Sequence, residues 1–144
     1  MKIKESQIQS ALIEWWRVAY KGLGASDARL LMMIPNGAYF GGGFSAKGAS
    51  LSAIRAGQMK RQGMVSGVPD LFLAMPRGNM GAARFDCGLW LEMKTPVGKL
   101  SPVQKEMHAL LYAQGYAVAT AYSFEEGVDV ITTYLAHAHV GKAP

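Results

Sequence analysis

Gly67-Val68-Pro69-Asp70-Leu71-Phe72-Leu73, answered downstream by Leu89-Trp90-Leu91-Glu92-Met93-Lys94, decides how this chain folds. Both stretches are short apolar runs beside turn-forming residues, the pattern of two strands. Side chains alternate along a strand with a period of two, so Trp90, Glu92 and Lys94 share one face while Leu89, Leu91 and Met93 share the other. Such a strand is covered on both sides, and charges within it need a reason. Asp70 follows Pro69, which cannot donate to a sheet ladder and so marks a strand start or edge. It precedes the apolar run Leu71 to Met75, where its carboxylate can reach the tip of a neighbouring strand.

Two carboxylates converging with an ammonium group have a chemical reading. Oxygen ligands suit Mg²⁺ or Mn²⁺, which take one or two carboxylates together with waters and phosphate oxygens. A bound cation lowers the pKa of its water and neutralises charge developing on a phosphate, and a neighbouring lysine can orient the nucleophile. The chemistry indicated is phosphodiester hydrolysis. The bland alternative is a hairpin whose edge strand carries a solvated Glu-Lys pair.

Pro69-Asp70 followed by Glu92-Met93-Lys94 resembles the signature of the PD-(D/E)xK nuclease superfamily. Further stretches, Gly98-Lys99-Leu100-Ser101-Pro102-Val103-Gln104 and Gly115-Tyr116, resemble its virus-type replication-repair nuclease branch, VRR-NUC, over nearly the whole chain. The resemblance implies a restriction-endonuclease-like core and a metal-dependent DNA endonuclease. In that reading Asp70 and Glu92 are metal ligands, the Met93 carbonyl is a third, and Lys94 assists the attacking water. Glu5 and Gln104 stand in support. A catalytically silent DNA-binding module on the same fold, or an RNase, stays open as an alternative. Likeness to the small viral members further implies resolution of Holliday junctions by a homodimer, in DNA repair, within the cytoplasm of a bacterial or phage-infected host cell.

The chain has 144 residues, half of them hydrophobic, enough for one domain (1–144) with an ordinary core. No apolar run approaches the roughly 18 residues of a membrane-spanning helix, and Met1-Lys2-Ile3-Lys4-Glu5 lacks the apolar core of a signal peptide. A soluble intracellular protein is expected. Cys87 is the single cysteine, which excludes an internal disulfide and a cysteine-built zinc site, and it reads as a small strand residue. His137 and His139 read as a solvated tail. The formal charge of +5 suits a polyanionic partner.

From about Lys4 to Lys21, Ile8, Leu12, Trp15, Trp16 and Ala19 recur at helical spacing, with Gly22 as a stop. At about 100° per residue Glu5 falls on the same stripe as Ile8 and Leu12, and Glu14 falls off it. The family's metal-holding glutamate near the start of its first helix matches Glu5. The alternative is that Ser6 caps the helix with Gln9 completing a capping box, leaving Glu5 as solvent charge. Leu30 to Ile34 reads as a buried first strand ended by Pro35-Asn36-Gly37. Asn36 is either a substrate contact, as the resemblance hints, or a turn former. Ser50 to Gln62 reads as a helix with Leu51, Ile54 and Met59 inward and Arg55, Lys60 and Arg61 outward, closed by Gly63. Phosphate contacts are assigned to Lys47, Lys60, Arg61 and Lys99, against the alternative of a solvated helix face.

Pro76 to Gly81 reads as a hairpin tip. Trp90 and the methionines read as core rather than base-stacking residues. Ser101-Pro102-Val103-Gln104 opens a helix as a capping box, which explains Gln104 structurally; by resemblance it also faces the active site. His108, one turn later, either approaches the site or packs. Tyr116 to Tyr122 reads as a strand, and Ser123-Phe124-Glu125-Glu126 opens a last helix through another capping box. The predicted class is α/β, a mixed sheet flanked by helices in the order αβ-α-ββαβα.

Overall fold

A computed structural model describes residues 4–20, 27–35, 51–78 and 85–136. Its first helix, α1 (Glu5–Ala19), starts from Lys4, whose backbone N–H donates to Oε1 of Gln7 at 2.9 Å. Gln7 therefore closes the first turn, and Ser6 lies inside the helix instead of capping it with Gln9. The buried stripe is Ile8, Gln9, Leu12 and Trp16. It ends there: Trp15 is half-buried and Ala19 exposed, while Tyr20 stacks on Trp16 at 4.2 Å.

Trp16 Nε1 donates to the Ala28 carbonyl at 2.9 Å and ties α1 to a 3-10 turn, Ala28–Leu30, that leads into β1 (Leu31–Met33). Only Leu31 of this strand is buried; Met32 and Met33 are 39% and 43% exposed. A strand buried throughout was expected. The sheet order β1-β2-β3-β4 explains the difference, since β1 is an outer strand. The second helix, α2 (Leu51–Arg61), stops before Gly63 at φ +97°. Ile54, expected inward, is 41% exposed.

The remaining elements are β2 (Leu71–Leu73), β3 (Leu89–Met93), α3 (Pro102–Ala113), β4 (Ala117–Ala121) and α4 (Phe124–Ala136). β1, β2 and β3 pair antiparallel, and α3 carries the chain across to β4, which runs parallel to β3. This is the mixed sheet expected, in the element order expected.

The β2–β3 hairpin is fastened where Arg77 and Asp86 exchange both backbone hydrogen bonds, at 2.8 and 2.9 Å. The Arg77 guanidinium also grips the buried Asp86 carboxylate, Nε at 2.8 Å, and lies over the Tyr134 ring. Cys87 follows at an exposed bend, its N–H donating to the Gly115 carbonyl, and so is not a strand residue.

Leu71, Leu91 and Met93 lie on one face of the sheet under α1 and α4 and are almost wholly buried. Each large aliphatic side chain buried there contributes about 1.5–3 kcal/mol. The two helices cross closely at Gly127, where a Cβ would come within 2.9 Å of Leu12 Cδ2. The opposite face carries Phe72 and Trp90, packed at 4.5 Å with their rings tilted by 33°, and Tyr116 edge-on to both. Trp90 is thus packing material, as its spacing predicted. α4 starts at Ser123, whose Oγ accepts from Glu126 N–H at 3.1 Å; the Glu126 carboxylate returns to Tyr122 N–H rather than to that of Ser123.

Candidate active site

Alternation along β3 puts Glu92 on the same face as Trp90, with Lys94 following just past the strand end; both are buried, at 1% and 8% exposure. A carboxylate and an ammonium withdrawn from water must satisfy each other, and Lys94 Nζ lies 2.7 Å from Glu92 Oε1. The same oxygen accepts from Gln104 Nε2 at 2.5 Å. Glu92 Oε2 is enclosed and has no hydrogen-bond partner among the described residues. Burial raises the Glu92 pKa above the ordinary carboxylate range; the Lys94 hydrogen bond opposes this, and the charges of Asp70 and Glu5 add to it.

Burial alone would draw protons off Lys94. The hydrogen bond to Glu92 and the charges of Glu92, Glu5 and Asp70 outweigh it and raise its pKa. Lys94 is therefore an ammonium at neutral pH, a proton donor and positive pole rather than a free base.

Asp70 comes to the same place from β2. Its Oδ2 accepts the Met93 N–H at 3.0 Å. The odd-numbered residues of β3 turn their backbone edge toward β2, because Gly88 and Lys94 bond toward β4. Extending the register Leu71↔Leu91 by two residues sets Pro69 opposite Met93. A proline has no N–H to offer the Met93 carbonyl, so the ladder ends there and Asp70 takes the amide in its place.

Gln104 makes two sets of hydrogen bonds. Its Oε1 accepts from Ser101 N–H at 2.9 Å and its N–H donates to Ser101 Oγ at 3.2 Å, the capping box of α3; its Nε2 holds Glu92. Glutamate also completes a capping box, so Gln104→Glu separates the two tasks. We expect this variant to keep the capped start of α3 but to lose activity of the site by about tenfold or more, and to lose stability as well, since a carboxylate replaces the amide that holds the buried Glu92 oxygen. Equal activity would show that only the capping bonds matter.

Glu5 is half-buried at the start of α1, its carboxylate 3.7 Å from Lys94 Nζ, and Glu14 is exposed two and a half turns on. The wheel separated these two acids correctly. His108 does approach the site: burial and then the Lys94 charge lower its pKa, and its enclosed Nε2 has no hydrogen-bond partner among the described residues.

Glu5, Asp70, Glu92, Lys94 and Gln104 all line one hollow of about 570 Å³, with Lys60 at its margin. Arg61 and Lys99 are exposed and do not line it. Lys47, Asn36, His137 and His139 lie outside the described residues. Gln9, buried on α1 one turn after Glu5, was missed as an inward residue; its i+4 spacing from Glu5 on the apolar stripe was the available signal.

Among the described residues no three His, Cys, Asp or Glu side chains form a cluster able to hold a metal. An ion would instead rest on two carboxylates, a backbone carbonyl and its own waters, a habit of Mg²⁺. The unpartnered Glu92 Oε2 and the hard oxygen donors fit such an ion.

A mixed sheet bringing an aspartate, a glutamate and a lysine to the ends of adjacent central strands is a nuclease-type fold. The VRR-NUC domain model matches residues 3–125, and the chain belongs to that family. A solved structure described as a VRR_NUC domain protein shares the fold, with a TM-score of 0.70 at 21% identity, covering 95% of this chain and 92% of its own. No curated protein matches the chain. The nuclease domain implies DNA as a partner, and no helix among the described residues is long and apolar enough to cross a membrane.

Proposed function

We propose that this protein is a metal-dependent endonuclease that hydrolyses DNA phosphodiester bonds, acting as a homodimer on branched DNA, with four-way junctions the favoured substrate. The observation that carries the reading is the convergence of Asp70, Glu92 and Lys94, with the Glu92 carboxylate buried and held by an ammonium and an amide on one oxygen while the other oxygen has no hydrogen-bond partner among the described residues.

Asp70, Glu92 and the Met93 carbonyl would hold Mg²⁺ or Mn²⁺, with Glu5 as an outer ligand. Bound there, the ion would supply Lewis acidity toward the phosphate and a more acidic water. The residues do the rest. Gln104 fixes the rotation of the Glu92 carboxylate. Lys94 offers its remaining N–H bonds to the attacking water or to the phosphoryl oxygens, countering the negative charge that grows on them. As the water oxygen bonds to phosphorus it releases a proton to solvent, one ester P–O bond breaks, and the leaving oxygen takes up a proton from solvent. Lys60 at the margin, with Arg61, Lys99 and Lys47, would meet phosphates further along the strand, where each contact adds salt-sensitive affinity.

Glu5, near Lys94, and Glu14, turned to solvent, give a paired test of the site's extent: Glu5→Gln should lower cleavage several-fold and raise the metal concentration required, and Glu14→Gln should leave both unchanged. Reversed sensitivities would remove Glu5 from the site.

Resolving a four-way junction takes two nicks, in a pair of strands related by two-fold symmetry, and one site cuts one strand. A two-fold dimer supplies the second cut, and such dimers are the commonest closed assemblies. Labelled flap, splayed-arm, junction and duplex DNA should be incubated with Mg²⁺, Mn²⁺ or EDTA, alongside light scattering. The expected result is metal-dependent, paired symmetric nicks on the junction from a dimer. Cleavage in EDTA would refute the metal; a micromolar monomer or single unpaired nicks would refute the dimeric resolvase and leave the nuclease standing.

A further inference from the structure

The hollow that holds the acids has a second wall of opposite character. Met64, Val65 and Val68, from the loop between α2 and β2, and Val103, from the first turn of α3, line it together with the charged groups. Val65 and Val103 are 53% and 49% exposed, unusually open for valines beside a buried ion pair. The wall is held in place by a close approach that only glycine allows. Gly67 has φ +83°, and a Cβ there would stand 2.7 Å from the Val103 carbonyl oxygen, so the loop is pressed against α3.

A volume of about 570 Å³ is far more than a phosphate group needs and lies within the roughly 300–1,000 Å³ of sites that enclose a whole organic ligand. What adjoins a scissile phosphate is a sugar and a base. The apolar wall is continuous with the carboxylates, and Lys60 sits at the rim to meet the next phosphate. From these observations, and resting on the nuclease reading above, we infer that Val65 and Val103, backed by Met64 and Val68, form a subsite for the base of one nucleotide flanking the scissile phosphate. A base in an intact duplex is stacked and cannot reach a side wall. The subsite therefore selects DNA whose strand opens at the cleavage point, as a strand does where helices branch, and extruded bases are held by apolar side chains in this way.

The test is steady-state cleavage of a branched DNA that the wild type cuts, compared with copies in which a tetrahydrofuran abasic residue replaces one or the other flanking nucleotide. Base removal at one of the two positions should raise the wild-type KM about tenfold with little change in kcat. Val65→Ala/Val103→Ala should cut the intact substrate with a raised KM and treat intact and abasic copies alike, within about twofold. Val65→Thr/Val103→Thr keeps the wall's shape and adds hydroxyls, so it serves as the variant whose folding is least at risk and should show the same loss of discrimination. A wild type indifferent to base loss at both positions, or variants that discriminate as the wild type does, would overturn the subsite with the nuclease assignment intact. Failure of the wild type to cut any DNA would instead bring down the nuclease reading itself.

Discussion

Asp70→Asn, Glu92→Gln and Lys94→Met are each expected to lower the single-turnover cleavage rate by at least about 10²–10³-fold, the scale seen when one preorganised charge or donor is taken from a reacting centre. DNA affinity should change far less. Phosphate contacts in this reading are spread over basic residues outside the triad, and each contributes a small, salt-dependent share. Asp70 and Glu92 would lose an anionic oxygen each, whereas Lys94→Met would leave both oxygens and remove the positive pole, so the metal dependence should weaken in the first two variants only. A rate within tenfold of wild type in any of the three would mean that the reaction is carried elsewhere.

The second large effect is on stability, measured without metal. Lys94→Met strands a carboxylate that is 1% exposed, with only the Gln104 amide left to hold it. Removing one partner of a buried pair costs about 3–5 kcal/mol, reduced here to the extent that Glu92 takes up a proton. Glu92→Gln/Lys94→Met should regain most of that loss, because replacing both members of a buried pair by neutral groups of similar shape is often neutral or stabilising. The pH signs follow from the two shifts. The raised Lys94 pKa gives stability that is complete below the ordinary lysine range and is lost as pH rises through the folded value. The raised Glu92 pKa favours the protonated carboxyl in the fold, so its contribution shrinks as pH rises from the ordinary glutamate range through the folded value. Urea titrations across pH should show these slopes in the wild type and neither in the double variant. Equal stability of Lys94→Met and the double variant would refute the coupling.

The parts of this protein that could be read from sequence are those governed by local periodicity. Alternation alone put Glu92 and Lys94 together, the helical wheel set Glu5 apart from Glu14, and Ser101-Pro102-Val103-Gln104 announced a helix start, whereas the approach of Gln104 to Glu92 was implied only by the family resemblance. What escaped depended on neighbours distant in the chain. Whether Met32, Met33 and Ile54 are buried is decided by which elements cover them; β1 proved to be an outer strand, and Ile54 is exposed. Asp86 as a buried acid was also missed, although Arg77 and Asp86 flank a turn-rich stretch and an opposite-charge pair across a hairpin was there to be suspected. The apolar wall of the hollow was invisible for another reason: Val65 and Val103 meet only because Gly67 lets two segments close on each other.

The Arg77–Asp86 clasp has a consequence for anyone who wishes to modify the protein. β2 leaves the acid cluster at Asp70 and β3 returns to it at Glu92, so the clasp sits at the far end of the hairpin from the chemistry. Two backbone hydrogen bonds, two guanidinium nitrogens donating to one Asp86 oxygen and the Tyr134 ring already fix the strand ends. The register of β2 on β3 is therefore insulated from whatever chain connects Arg77 to Asp86. Doubling the length of such a connection costs only about 0.6 kcal/mol of closure entropy. A fluorophore, an affinity tag or a grafted recognition module inserted between Arg77 and Asp86 should therefore leave the spacing of the acids undisturbed.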